Sequence, residues 1–176
     1  TLYAPKTVTL SAASYTYDGK VKKPSVTVKD SKGNKIGSQY YTVSYPSGRK
    51  NVGKYTVKVT FKGNYIGSKS ATFVIKPKGT SVSKVTAAKK GFKVTWKKQA
   101  TQTTGYEVQY STASNFKKGN KTVTVSKNKT TSKSVSKLSA KKKYYVRIRT
   151  YKQITKNKKT RNYFSGWSGI KSATTK

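Results

Sequence analysis

Tyr144-Tyr145-Val146-Arg147-Ile148-Arg149 is the stretch that decides the fold. Tyr144, Val146 and Ile148 take every second position, with Tyr145, Arg147 and Arg149 between them. A period of two puts one set on each face of a β-strand. The same alternation recurs upstream, where Phe92, Val94 and Trp96 interleave with Lys93, Thr95 and Lys97, and Tyr106, Val108 and Tyr110 with Glu107 and Gln109. Earlier still, Tyr55, Val57, Val59 and Phe61 oppose Thr56, Lys58, Thr60 and Lys62, and Ala71, Phe73 and Ile75 follow. Turn formers such as Asp18-Gly19, Lys32-Gly33-Asn34 and Pro46-Ser47-Gly48 bound the runs. No stretch keeps a helical period, so the chain is expected to be all-β, its apolar faces buried between packed sheets.

The pattern breaks at Pro77-Lys78-Gly79-Thr80 and restarts with a new set of strands. This predicts two tandem β-sandwich domains, residues 1–78 and 79–176, joined by a short linker. Fifteen basic and two acidic residues fall in the first, twenty-five and one in the second. Their net charges are therefore +13 and +24.

Forty Lys and Arg against three carboxylates, Asp18, Asp30 and Glu107, give a formal charge of +37 with no His and no Cys. A glycosidase needs paired carboxylates, a serine or cysteine hydrolase a base that is normally His, and zinc or calcium sites His, Cys or clustered acids. None of these sets can be assembled, so the expectation is a noncatalytic chain without cofactor or metal. No disulfide framework exists, and no apolar run approaches the ~18 residues of a membrane-spanning helix. The chain begins at Thr1 with neither an initiator Met nor a signal peptide, which reads as a piece processed or excised from something longer.

Residues 80–176 resemble a fibronectin type III domain. The resemblance rests on Leu138 six residues before Tyr144, on Val146 and Ile148 at alternate positions after it, on Trp96 far upstream, and on Ser165-Gly166-Trp167-Ser168. It implies that Trp96 belongs to the second strand, residues 106–110 to the third and Tyr144 to the sixth; Ala140 stands where the family usually has Pro. Residues 3–77 resemble the Ig-like repeats of large extracellular proteins of gut Firmicutes. The residues that carry this are Tyr17-Asp18-Gly19-Lys20, Lys23-Pro24, Val26-Thr27-Val28, Tyr41-Thr42-Val43-Ser44-Tyr45, Asn51-Val52-Gly53, Lys62-Gly63-Asn64-Tyr65 and Phe73-Val74-Ile75. Together the resemblances imply an accessory region of a secreted or surface protein of a Gram-positive bacterium, working as stalk, spacer, adhesion element or accessory to a hydrolase.

Arg147, Arg149 and Trp167 fall on one outer face, where they either offer a stacking site or stiffen the sheet as a cation–π ladder. The ladder is the stronger reading, because similar Arg and Trp positions interleave in the fibronectin-like domains of cytokine receptors. Glu107 is expected to partner an Arg on the neighbouring strand. The segment 152–163 is longer than a hairpin loop needs to be and carries Lys152, Lys156, Lys158, Lys159 and Arg161. It reads either as a basic binding loop or as a solvated loop, with Tyr163 and Phe164 anchoring the last strand in the core. Lys141, Lys142 and Lys143 form a second basic group, and Gly48, Arg49 and Lys50 a hairpin tip in the first domain. Tyr40, Tyr145 and Tyr151 are the tyrosines expected to be exposed.

Only four of the basic residues are Arg, and Lys is a hydrated point charge on a flexible stem, suited to diffuse attraction rather than base readout. The expected partner is an anionic cell-wall polymer such as a teichoic acid, or another extracellular polyanion, with no specific nucleic-acid readout and a monomeric state. A protein-recognition module engaging a host or bacterial protein is the first alternative. A carbohydrate-binding accessory, using Tyr145, Tyr151 and Trp167, is the second.

Overall fold

Strands form where β-branched and aromatic residues alternate with Lys, Ser and Thr, and the sheets they build are stitched by tyrosines whose polar tips reach the backbone. The computed structural model describes residues 2–176. It is all-β and divides into two compact units that part between Lys76 and Pro77. The division falls ahead of the residue 78 expected from the pattern, because Lys78 accepts a hydrogen bond from Thr150 Oγ1 at 2.8 Å and so is tied to the second unit.

The first unit holds β1 (Thr7–Leu10), β2 (Ser14–Thr16), β3 (Val26–Lys29), β4 (Tyr41–Ser44), β5 (Gly53–Phe61) and β6 (Ser68–Lys76). Strands β1 and β3 pair antiparallel, with Val8 opposite Val28 and Leu10 opposite Val26. The other sheet runs β2-β6-β5-β4, β2 lying parallel to β6. Val57 and Val59 on β5 are fully buried, as are Phe73 and Ile75 on β6. The core is two small clusters, Val28, Ile36, Val59 and Phe61 in one and Val57, Phe73 and Ile75 in the other, each surrounded by half-buried tyrosines. Tyr45 donates to Pro24 O at 2.6 Å, so its ring packs while its hydroxyl fastens a neighbouring loop.

The second unit holds β7 (Val82–Ala88), β8 (Gly91–Trp96), β9 (Gly105–Ser111), β10 (Lys121–Val125), β11 (Ser132–Val135), β12 (Lys143–Lys156), β13 (Lys159–Phe164) and β14 (Lys171–Thr174). One sheet runs β11-β8-β7; the other runs β10-β9-β12, with β13 and β14 both pairing β12. Phe92, Val94 and Trp96 bury against Tyr106, Val108, Tyr110, Tyr144, Val146 and Ile148 in one continuous core. Tyr106 is wholly buried, and its hydroxyl accepts from Gln99 N and donates to Asn128 O. At Gly105, where β9 begins, a Cβ would stand 1.9 Å from Val125 O, so this close approach of two backbones needs glycine.

Candidate polyanion-binding surface

The residues with claims to function converge on β12, and the middle and the end of this strand differ. In the middle, Arg147 and Arg149 point outward, directly opposite Gln109 and Glu107 on β9. Between β13 and β14 the chain passes β12 as Ser165-Gly166-Trp167-Ser168. There Ser165 Oγ accepts from Thr150 N at 2.9 Å and Ser168 Oγ from Ile148 N at 3.0 Å. Side-chain hydroxyls thus stand in for strand carbonyls, and the segment is free to lay Trp167 across the outer face.

The Trp167 ring lies between two guanidinium carbons, 4.6 Å from Arg147 and 4.4 Å from Arg149. The stack continues at both ends, Arg147 standing 4.2 Å from the Phe116 ring and Arg149 3.8 Å from the Phe164 ring. Arg147 Nε and Nη2 donate to Gln109 Oε1 at 2.9 and 2.6 Å. Arg149 Nε donates to Glu107 Oε2 at 2.8 Å, and Nη2 lies 2.7 Å from the same oxygen. Burial, with the neighbouring Arg149 charge second, lowers the Arg147 pKa, but a guanidinium stays charged at neutral pH. Each contact of this kind contributes about 0.5–2 kcal/mol. Phe116 and Phe164 are rungs that sequence reasoning missed. Phe164, expected in the core on the solvated-loop reading of 152–163, lies on the outer face because its register partner is Tyr151. Phe116 comes from the β9–β10 connection at φ 54°, where no periodicity marks it.

The end of β12 corrects the expectation of a long loop. Residues 152–163 are a β-hairpin: β12 pairs β13 with Ile154 opposite Arg161 and Lys156 opposite Lys159. Asn157 and Lys158 close it in two residues at φ 50° and 60°, the left-handed pair of a type I′ turn. Strand β9 begins only at Gly105, opposite Tyr151, so from Ile154 onward this hairpin is a two-stranded arm. Its faces differ. On one, Gln153 donates to Asn162 and the Thr155 and Thr160 hydroxyls meet at 2.8 Å, so neutral groups satisfy one another. The other carries Lys152, Ile154 and Lys156 across from Tyr163, Arg161 and Lys159, with like charges directly opposed at Lys156 and Lys159.

Lys141, Lys142 and Lys143 are exposed at the opposite end of β12. At about 3.3 Å per residue, Lys143 lies about 43 Å from Lys156, so the two basic groups are separate surfaces. In the first unit Arg49 is already engaged: Nε donates to Lys22 O at 2.9 Å, Nη1 to Pro46 O at 2.6 Å, and its guanidinium lies 5.2 Å from the Tyr45 ring. Two of the carboxylates are engaged too, Glu107 in the ladder and Asp18 with Lys22 at 2.5 Å. The hydrogen bond from Lys22, with that from the Lys20 backbone, holds the Asp18 carboxyl below its ordinary value.

The expected aromatic platform is not open. Tyr151 is only 4% exposed, packed beside the Phe164 ring, and its burial, with the Glu107 charge second, raises its pKa. Tyr40 and Tyr145 are half-buried, Lys143 Nζ standing 5.3 Å over the Tyr145 ring, and Trp167 is enclosed by its two arginines.

No curated protein matches the chain. Among solved structures it is similar to the FN1–FN3 domains of chicken CNTN1, at 17% identity and a TM-score of 0.46 over 99% of this chain and 67% of that one. It is also similar to domains A168–A170 of titin, at 16% and 0.39 over 97% and 66%. A two-domain fibronectin type III segment of chicken tenascin gives 20% and 0.45 over 96% and 97%. The family model of the MBG domain matches residues 6–80, and that of the fibronectin type III domain matches residues 75–165. Both kinds of domain are typically noncatalytic. More than half of the sequence falls within the second match, and the chain belongs to the fibronectin type III family, with an MBG domain preceding that domain.

Proposed function

We propose that this chain is a noncatalytic attachment or spacer region of a secreted or surface protein of a Gram-positive bacterium, holding its parent on anionic wall polymers or similar extracellular polyanions. The observation that carries the reading is the β12–β13 arm. Its one charged face gathers Lys152, Lys156, Lys159 and Arg161, with Lys158 at the tip, and no carboxylate among them. Opposed lysines repel one another, so an anion lying between Lys156 and Lys159 removes an unfavourable contact as well as making a favourable one. Lys141, Lys142 and Lys143 at the far end of the same strand extend the attraction along a long polymer. The lysine bias favours charge over pattern, so the driving force is counterion release.

Binding to purified anionic cell walls tests this. With six or more charges engaged, affinity should fall about 10³-fold or more between about 50 and 200 mM salt, and heparin and DNA should compete. Tight binding that ignores both salt and competitors overturns the electrostatic reading. It would promote a protein-recognition module, a role that the fibronectin type III family also suggests.

A further inference from the structure

Asp30 is the one side-chain carboxylate among the described residues that makes no ion pair, in a chain with forty basic side chains. It sits in the loop joining Lys29 to Lys35, where its Oδ1 accepts from Lys32 N and Asn34 N, both at 2.9 Å. Its Oδ2 accepts a longer bond, from Asn34 Nδ2 at 3.2 Å, and a carboxylate oxygen can accept a second. The surrounding atoms, by displacing water, raise its pKa, but the hydrogen bonds prevail and hold the carboxyl below its ordinary value, keeping it ionised. This loop forms one wall of a cleft of about 340 Å³, lined also by Tyr3 and Tyr65.

The Tyr3 backbone and the Tyr65 ring are fixed from behind. Tyr3 N donates to Asn64 O at 2.9 Å and Ile66 N to Tyr3 O at 3.1 Å, which sets the N-terminal segment beside Tyr65. Tyr40 meets the Tyr65 ring edge-on at 5.4 Å. The Tyr3 and Tyr65 rings stand 6.4 Å apart and inclined at 50°, and Tyr3 is 57% exposed, so much of its ring is open to a ligand. Ser31, Lys32 and Asn34 complete the wall.

We infer that this cleft binds a neutral pyranose sugar, its C–H faces against Tyr3 and Tyr65 and its adjacent hydroxyls donating to Asp30. Cations are repelled by the +37 field, and the described residues contain no group of three or more His, Cys, Asp or Glu that could hold a metal ion. An anion would meet a carboxylate in the wall. A neutral polyol suits aromatic planes, one pre-positioned acceptor and a few donors, in a cleft at the small end of the ligand-sized range of about 300–1,000 Å³. The cleft belongs to the first unit and the arm to the second, and the inference does not depend on what the arm binds.

The test is amide NMR of the whole chain titrated with the methyl β-glycosides of glucose, galactose, mannose and N-acetylglucosamine. At least one should shift the amides of residues 31–34 and 64–66 saturably, with a dissociation constant of about 1–10 mM that salt leaves unchanged. Tyr3→Ala and Asp30→Asn should each weaken that binding about tenfold or more. Asp30→Asn keeps an oxygen for the two backbone donors and so preserves the loop, while the combined Lys156→Gln and Lys159→Gln variant should bind as the parent does. If none of the four glycosides moves these amides, or if both cleft variants bind unchanged, the inference is overturned. Loss of polyanion binding in the arm variant would not rescue it.

Discussion

The middle and the end of β12 carry the same kind of charge and use it differently. Arg147 and Arg149 each have an aromatic ring on two sides and a cross-strand acceptor that takes their Nε and Nη2 donors, so both faces and one edge of each guanidinium are engaged by the protein. Lys152, Lys156, Lys159 and Arg161 stand on a ribbon whose neutral face is already satisfied and whose charged face has no acid. Cations that the fold consumes are therefore separable from cations it leaves available, and residue type alone does not separate them, as Arg161 demonstrates.

The largest effect expected from this contrast is on binding. Changing Lys152, Lys156, Lys159 and Arg161 to Gln should lower affinity for anionic cell walls about 10–100-fold at about 100 mM salt, and flatten its salt dependence by about four charges. The unfolding midpoint should hardly move. The same number of changes in the first unit, with Lys50 among them, should cost less binding; an equal loss would mean that the coat acts as a whole and the arm has no special place. Trp167→Ala should do the reverse, costing about 2–4 kcal/mol of stability in denaturant titrations while polyanion binding persists. If stability changes by less than about 0.5 kcal/mol and binding vanishes, Trp167 is a ligand platform and the comparison fails.

Smaller effects sharpen the contrast. Arg149→Lys keeps the charge but loses the flat stacking surface and the forked contact with Glu107, and should destabilise by about 1–2 kcal/mol. At the tip, Lys158→Gly removes a side chain from a left-handed position and should stabilise the hairpin by about 0.5 kcal/mol, seen as slower amide exchange in β13. Least of all should pH matter near neutrality. The Asp18 and Asp30 pKa values are lowered, so their contribution is present above the ordinary carboxylate range and is lost only as pH falls through the folded values, while the buried Tyr151, its pKa raised, opposes folding only as pH climbs past the unfolded tyrosine value near about 10. With no His between them, the unfolding midpoint should be level from about pH 5 to 9, and a bend near pH 6.5 would contradict this account.

Periodicity made the strands legible wherever one face was buried, as at Val57 and Val59 or Val146 and Ile148, because burial imposes the alternation. It failed at 152–163, where a ribbon with two solvated faces imposes none, and the Asn157-Lys158 turn lacks the glycine that would have announced it. Arg147, Arg149 and Trp167 could be named as a stack because alternation put both arginines on one outer face and the resemblance to fibronectin-like domains supplied Trp167. Phe116 could not, since it arrives from a connection with no fixed distance in sequence from its partner. The Asp30 cleft is assembled from three separate segments; the sequence marked the Lys32-Gly33-Asn34 turn and the Lys62-Gly63-Asn64-Tyr65 motif, but nothing in it brings Tyr3 to them.

The two serines beside Trp167 have a consequence for life in a crowd. Along residues 147–150, β12 has β9 on one flank but no strand on the other, and an exposed edge of this sort invites a strand from a neighbouring molecule. Ser165 and Ser168 occupy the amides of Thr150 and Ile148 with hydroxyls, and Trp167 roofs the gap. The edge is closed without adding a strand, so a neighbouring molecule finds the Ile148 and Thr150 amides already taken and no template there to zip onto.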